Sequence, residues 1–305
     1  MAQARSGRTR LEGSRWTPYL FAAPIALYLL LFQFYPLVQQ FFLSFTATTL
    51  LNPNDNPFVG FENYAFLFET GEFPRVLWIT LVYTVACVVL AIGCGLGAAL
   101  LLDSPFVGRG VARALVTVPW AAPSVAVALI FTWMFNSQYG IFNHVLGALH
   151  LPFAEENWLD NPSLALPAIL ITTVWQIFPF SSVVILAALQ GVPQELREAA
   201  VIDGAGRLNV FRTAVWPTIE PTVLMLALFV TIWSLRRFDL IWLMTQGGPI
   251  GATNTLVIEL YRTGFVYRDL GTAAAIGMIG LTIAIVVTLI YFKITQMSEK
   301  AQGRR

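Results

Sequence analysis

Six apolar stretches, at residues 18–42, 76–102, 114–135, 164–189, 214–235 and 272–292, are each long enough to cross a lipid bilayer. A hydrocarbon core about 30 Å thick takes about 20 residues of helix. Inside it every backbone N–H and C=O must find a partner within the protein, and a continuous apolar run of this length meets that demand as a helix. Composition agrees, with 57% hydrophobic and 11% charged residues, where a soluble domain carries roughly a quarter charged. The expected fold is therefore all-α and integral to the membrane, with six transmembrane helices. A formal net charge of +1 gives no global field for nucleic acid, so the charges inform by position.

Assigning the loops alternately to the two sides puts Arg5, Arg8, Arg10, Arg15, Arg109, Arg113, Arg197, Arg207, Arg212, Lys293, Lys300, Arg304 and Arg305 on one of them. The other side holds only Arg75, Arg236, Arg237, Arg262 and Arg268. The positive-inside rule makes the first side, and with it both termini, cytoplasmic. The first apolar run exceeds the roughly 7–15 residues of a signal-peptide core and no A-x-A site follows it, so it reads as an uncleaved span. The chain then divides into a cytoplasmic tail at 1–17, a first helix at 18–42, a core domain at 76–292 with five spans and a cytoplasmic loop at 190–213, and a cytoplasmic tail at 293–305. Four of the five outer arginines fall in the last external loop, 236–271, where they would face a pore or a partner. Within it Leu256, Val257, Leu260, Tyr261 and Phe265 recur at helical spacing, which fits either an amphipathic helix on the membrane surface or an ordinary surface helix.

Pro119, Pro123, Pro167, Pro179, Pro217 and Pro221 interrupt the third, fourth and fifth spans. Such breaks are tolerated where neighbouring helices or a water-filled cavity satisfy the freed backbone groups. Gly93 and Gly97 make a G-x-x-x-G in the second span, which permits close helix packing. Cys87 and Cys94 are about 10 Å apart along a helix, too far for a disulfide, and read as packing residues. His144 and His150 have no metal-ligand partners at useful spacing and read as solvated. Glu220, between two prolines near the cytoplasmic end, reads as snorkelling or paired.

The loop at 190–213 separates two apolar runs with a charged segment. Pro193 suits a helix's first position, and Leu196, Ala199 and Ala200 then share a face. Gly204 and Gly206 end that helix through left-handed or tight backbone geometry, and Leu208, Phe211, Ala214 and Val215 begin a second apolar face. Glu198, Asp203, Arg207 and Arg212 give this helix–turn–helix both signs of charge. It can dock a soluble protein or simply connect two spans.

Glu198-Ala199-Ala200, Asp203-Gly204-Ala205, Phe211 and Pro217 resemble the EAA loop of bacterial ABC importer permeases, with Trp216 where a leucine is usual. The stretches FDLIWLMTQGGP from Phe238 and ATNTLVIELYRTGF from Ala252 resemble the carbohydrate-uptake branch, the sugar permeases of the maltose-transporter type. The resemblance implies a type I importer fold in the bacterial cytoplasmic membrane, with the EAA helix inserted into a cleft on a cytoplasmic ATPase. Glu198, Ala199, Ala200, Asp203, Gly204, Ala205 and Arg207 would then form the coupling surface. It further implies a second permease subunit, two copies of the ATPase and an external substrate-binding protein, with lipid around the spans. The residues agree that ATP is handled elsewhere: a P-loop needs a Gly-Lys-Ser/Thr, and the only lysines are Lys293 and Lys300. No H-E-x-x-H, paired aspartates or Ser/His arrangement in the spans supports an intramembrane enzyme, and no cofactor or metal site is expected.

Gln176 lies about 14 residues, or ~21 Å, along the fourth span from the cytoplasmic loop, with Phe180 one turn closer on the same face. Phe229, Trp233 and Arg237 recur at four-residue spacing along the fifth. The resemblance places the counterparts of these spans around a sugar site. Rings can stack on a sugar's C–H face while Gln176, Ser234 and Arg237 bond its hydroxyls, although the same aromatic spacing also serves helix packing. Arg236 and Arg237 keep open an alternative cargo, glycerol 3-phosphate or a glycerophosphodiester, because guanidinium binds phosphate in a bidentate fork.

Overall fold

The computed structural model describes residues 17–69, 71–301 and 303, so Arg5, Arg8, Arg10, Arg15, Arg304 and Arg305 lie outside the described residues. Among the described residues five helices are long and apolar enough to cross a membrane: Tyr19–Leu43, Glu72–Asp103, Ala165–Gln190, Arg207–Leu235 and Leu270–Ser298. A bent pair, Arg109–Ala121 and Ser124–Met134, whose axes meet at 96°, makes a sixth when counted as one broken span. These are spans one to six in chain order, the bent pair being span three. Only isolated bridges, such as Thr46 with Phe58 and Thr49 with Asp269, occur outside the helices among the described residues.

The prolines meet three different fates. In span one Pro36 follows a wide π turn at Leu30–Phe34, and in span five Pro217 follows another at Phe211–Val215. Each proline has no N–H to give to the carbonyl four residues back, and the backbone there relaxes into the wider turn. Pro179 and Pro221 sit inside continuous α-helix, and Pro167 is in the first turn of span four. Only span three breaks. Ala122, held between Pro119 and Pro123, is extended at ψ 134°, the conformation favoured in a residue that precedes proline.

Spans two and four form the central seam. Gly95 makes it possible, because a Cβ there would stand 2.5 Å from Ser181 Cβ and 3.0 Å from its backbone. Ala91 and Ala99, one turn to either side, are fully buried. The stripe is thus Ala-x-x-x-Gly-x-x-x-Ala. Gly93 and Gly97, expected to mediate packing, face outward with nothing within 4 Å of a Cβ. Cys87 is buried in the core, Cys94 is exposed, and neither is bonded.

The core is layered along the bundle. One layer gathers Ile177, Ile185, Leu189, Val215, Ile219 and Leu226 towards the end that carries the 190–207 loop. The other gathers Tyr83, Val127, Phe131, Trp158, Leu240 and Ile258 at the far end. The expected external loop 236–271 belongs to this far layer: it folds into helices Asp239–Thr245 and Leu256–Tyr261, with Leu240, Ile241 and Ile258 almost completely buried. Leu256–Tyr261 is consequently a helix packed on the bundle, its first N–H held by Thr80 Oγ1 at 2.8 Å. The arginines of this segment divide. Arg236 and Arg237 line a cavity, whereas Arg262 bonds Tyr267 Oη at 2.8 Å.

Candidate functional site: a cavity at the broken span

The break in span three frees a carbonyl inside the bundle, and span four supplies its partner. Gln176 donates through Nε2 to Ala122 O at 3.1 Å and to Ser124 Oγ at 3.4 Å. Its Oε1 accepts from the Arg237 guanidinium. Arg237 lies just beyond the end of span five, where its own N–H bonds Ser234 O at 3.2 Å. A side chain 6% exposed therefore ties three spans together, and an unpaired polar group there would cost about 1–3 kcal/mol.

Beside this tie is an open cavity of about 590 Å³, lined among others by Trp120, Ser124, Gln176, Trp233, Arg237 and Asp239. Rings border it in series: Trp120 and Phe180 have centroids 5.4 Å apart, Phe180 and Trp233 5.0 Å, and Trp233 and Phe229 6.4 Å. The wall thus offers aromatic faces, guanidinium donors and the Asp239 carboxylate as acceptor, a set suited to a ligand that is apolar on one face and hydroxylated at its edge. Among the described residues no cluster of His, Cys, Asp or Glu is placed to hold a metal ion.

Gln176, Trp233 and Arg237 line the cavity, and Phe180 stands between the two tryptophans. Phe229 is one turn away at its edge. Ser234 is 3% exposed and off the lining. Trp120, Ser124 and Asp239 escaped the sequence reading; the signal for Trp120 was its place between Pro119 and Pro123, at the one proline pair that breaks a helix.

The second site is the loop at the other end. Its helix runs Gln194–Ile202, with Pro193 at the cap position ahead of the first turn. Gly204 has φ +80°, and it closes the helix with two bonds, Ala205 N–H to Ala200 O and Gly204 N–H to Val201 O, each 3.0 Å. That is a Schellman closure, whose left-handed residue is free of strain only as glycine. Gly206 is extended, with φ −68°, and needs no such freedom. Arg207 opens span five itself, so the second half of the loop is the root of a span. No residue of Gln194–Ile202 is buried. Leu196 and Ala199, which share a face with Ala200, are exposed, and so are Glu198, Val201 and Ile202. Ile202 is 85% exposed, an apolar contribution to this surface that charge alone did not reveal.

The chain matches the family model described as binding-protein-dependent transport system inner membrane component over residues 90–296. The sulfoquinovosyl glycerol transport system permease protein SmoG of Agrobacterium fabrum is 34% identical over 94% of this chain and 92% of its own length. The trehalose/maltose transport system permease protein MalF of Thermococcus litoralis is 35% identical over 90% and 92%. Among solved structures, a bacterial ABC transporter involved in the import of the acidic polysaccharide alginate superposes with a TM-score of 0.80 at 22% identity, covering 92% of this chain and 96% of its own. The MetNI methionine ABC transporter shares the fold more distantly, with a TM-score of 0.53. The bundle accordingly has the type I ABC importer permease fold. The chain belongs to the family of inner membrane components of binding-protein-dependent transport systems, and its role in such a system is that of the multi-pass membrane permease.

Proposed function

We propose that this permease imports a sugar, and that the cavity at the broken third span receives it. The observation that carries the reading is the join of Ala122, Gln176 and Arg237 beside the tilted ring series Trp120, Phe180 and Trp233, which brings hydrogen-bonding groups and aromatic rings to one opening. Phe229 extends the aromatic edge. Ser234 supports Arg237 through its carbonyl rather than touching cargo. The two relatives are named as transport system permeases, one for sulfoquinovosyl glycerol and one for trehalose/maltose, which supports a carbohydrate cargo. The glycerol phosphate alternative is not favoured: Asp239 shares the cavity with Arg236 and Arg237 and offsets part of the charge a phosphate would need.

The chain works with a second permease subunit, two copies of a cytoplasmic ATPase and an external binding protein, in the bacterial cytoplasmic membrane. Both termini and the 190–213 loop face the cytoplasm, in keeping with the clustering of Arg109, Arg113, Arg197, Arg207 and Arg212 at one end. Glu198, Ala199, Ala200, Asp203, Gly204, Ala205 and Arg207 meet the ATPase. Affinity purification from the native host should recover the ATPase and the second permease. The reconstituted complex with its binding protein should then take up labelled sugar in an ATP-dependent manner, with unlabelled sugar competing and glycerol 3-phosphate failing to compete. Competition by glycerol 3-phosphate alone would reverse the choice of cargo. Gly204→Val should lower both ATPase recovery and uptake, since a β-branched residue at positive φ opens the turn.

A further inference from the structure

Asp103 ends span two and stands between guanidinium groups from two other segments. Arg197, from the helix Gln194–Ile202, pairs with its Oδ2 at 3.5 Å. Arg109, which opens the first half of span three, approaches its Oδ1 at 3.9 Å. Each arginine also holds a helix end by its main chain: Arg197 donates to Leu189 O of span four at 2.9 Å, and Arg109 Nε donates to Leu102 O of span two at 2.6 Å. Arg113 adds a longer bond to the same Leu102 carbonyl, 3.4 Å. The carboxylate side chain is 22% exposed, so salt screens the pairs less than it would on an open surface.

Arg197 is half-buried, and in its helix only Ala200 shares that condition. A nine-residue helix with no buried side chain gains little from apolar packing and is too short to persist by propensity alone. Its polar attachment therefore matters more than an ion pair on a well-packed helix would. On the other side of Asp103, Arg109 begins a helix of 13 residues, about 20 Å long, that ends at Ala121. The next residue is Ala122, whose carbonyl Gln176 holds at the cavity. One carboxylate thus links the ATPase-facing helix to the half-span that carries Trp120.

We propose that Asp103 is a positioning residue for coupling: through Arg197 and Arg109 it passes movement of the 194–202 helix to the first half of the broken span, and so to the cavity. This role rests on the transport reading above. Removing its charge leaves two guanidinium groups adjacent without their shared anion and disconnects the two helices. The exposed surface at Glu195, Glu198, Val201 and Ile202 is left in place.

The test uses the complete transporter in proteoliposomes and measures ATPase co-purification, ATP hydrolysis and sugar uptake in the same preparations. Asp103→Asn should keep the ATPase bound and hydrolysing while lowering sugar moved per ATP by about fivefold or more, the lower end of typical coupling between sites. Asp103→Glu should restore the ratio. Arg197→Gln should lower the ratio as well, and the double variant should be no worse than the more affected single one, because both remove the same link. A wild-type ratio in Asp103→Asn, with uptake and hydrolysis falling together, would overturn the proposal, as would strictly additive losses in the double variant. If Asp103→Asn fails to assemble, Arg197→Gln carries the same expectation for the ratio. Wild-type transporter showing no ATP-dependent sugar uptake would instead overturn the transport reading, and this role with it.

Discussion

Spans three and four both carry proline within the membrane, yet one bends by 96° and the other continues as 26 residues of unbroken helix. The loss of one backbone hydrogen bond at Pro179 is not enough to divide span four. Its hydrophobic stretch is 61% buried, and contacts to spans two, three and five hold the axis where a bond is missing. Span three carries two prolines four residues apart, and the residue before the second leaves the helix for the extended conformation that a following proline favours; span five has Pro217 and Pro221 at the same spacing and stays continuous. The exit from the helix is then made useful by span four, because Gln176 accepts responsibility for Ala122 O at 3.1 Å. A proline in a membrane helix is therefore a permission, and the neighbours decide whether it becomes a break. The rigid span supplies the side chain that makes the broken one tolerable.

The contrast can be broken most severely from the rigid side. Gly95→Leu should abolish assembly of the protein, since even a Cβ meets Ser181 at 2.5 Å and overpacking of a tight seam costs about 1–3 kcal/mol or more. Yield of monodisperse protein in detergent reads this out, and a normal elution profile would contradict the close seam. On the other side, Pro123→Ala lets Ala122 return to helix and restores an N–H at position 123. Sugar uptake should drop about tenfold, the equivalent of ~1.4 kcal/mol, with assembly retained. Pro179→Ala should leave uptake near wild type, and equal losses in the two variants would erase the distinction between the spans.

Two smaller effects sharpen the picture. Gln176→Leu removes the partner of Ala122 O and of Arg237 together, and should destabilise the protein by about 1–3 kcal/mol, visible as a lower unfolding temperature. Gly93→Ala should raise that temperature slightly, by the equivalent of about 0.5–1 kcal/mol, because its Cβ enters open space. A loss of stability there would show that the outward glycines pack against something in this chain after all.

The position of each span was legible because twenty apolar residues in lipid have one solution. Which proline breaks a span was not, since Pro119, Pro123, Pro179, Pro217 and Pro221 look alike until neighbouring helices are known. The G-x-x-x-G at Gly93 and Gly97 marks small residues but not the direction they face; the buried stripe is offset by two residues, at Ala91, Gly95 and Ala99. Gly204 was legible because a helix closure with a following apolar run calls for a left-handed glycine there. The pairing of Arg197 with Asp103 spans 94 positions, and no local pattern announces it. Half of the cavity was readable from helical spacing in spans four and five. Trp120, Ser124 and Asp239 join it only through the bend.

The central claim is that the bend opens a water-filled cavity inside the membrane while span four remains closely packed beside it. Single cysteines at Ser124 and at Ser181, introduced after Cys87→Ala and Cys94→Ser, place one probe at the break and one in the seam, where Ser181 is fully buried. A membrane-impermeant thiol reagent should modify Ser124→Cys in the assembled transporter and should leave Ser181→Cys untouched, and transported sugar should protect the former. Failure to modify Ser124→Cys, or equal modification at both positions, would contradict the account.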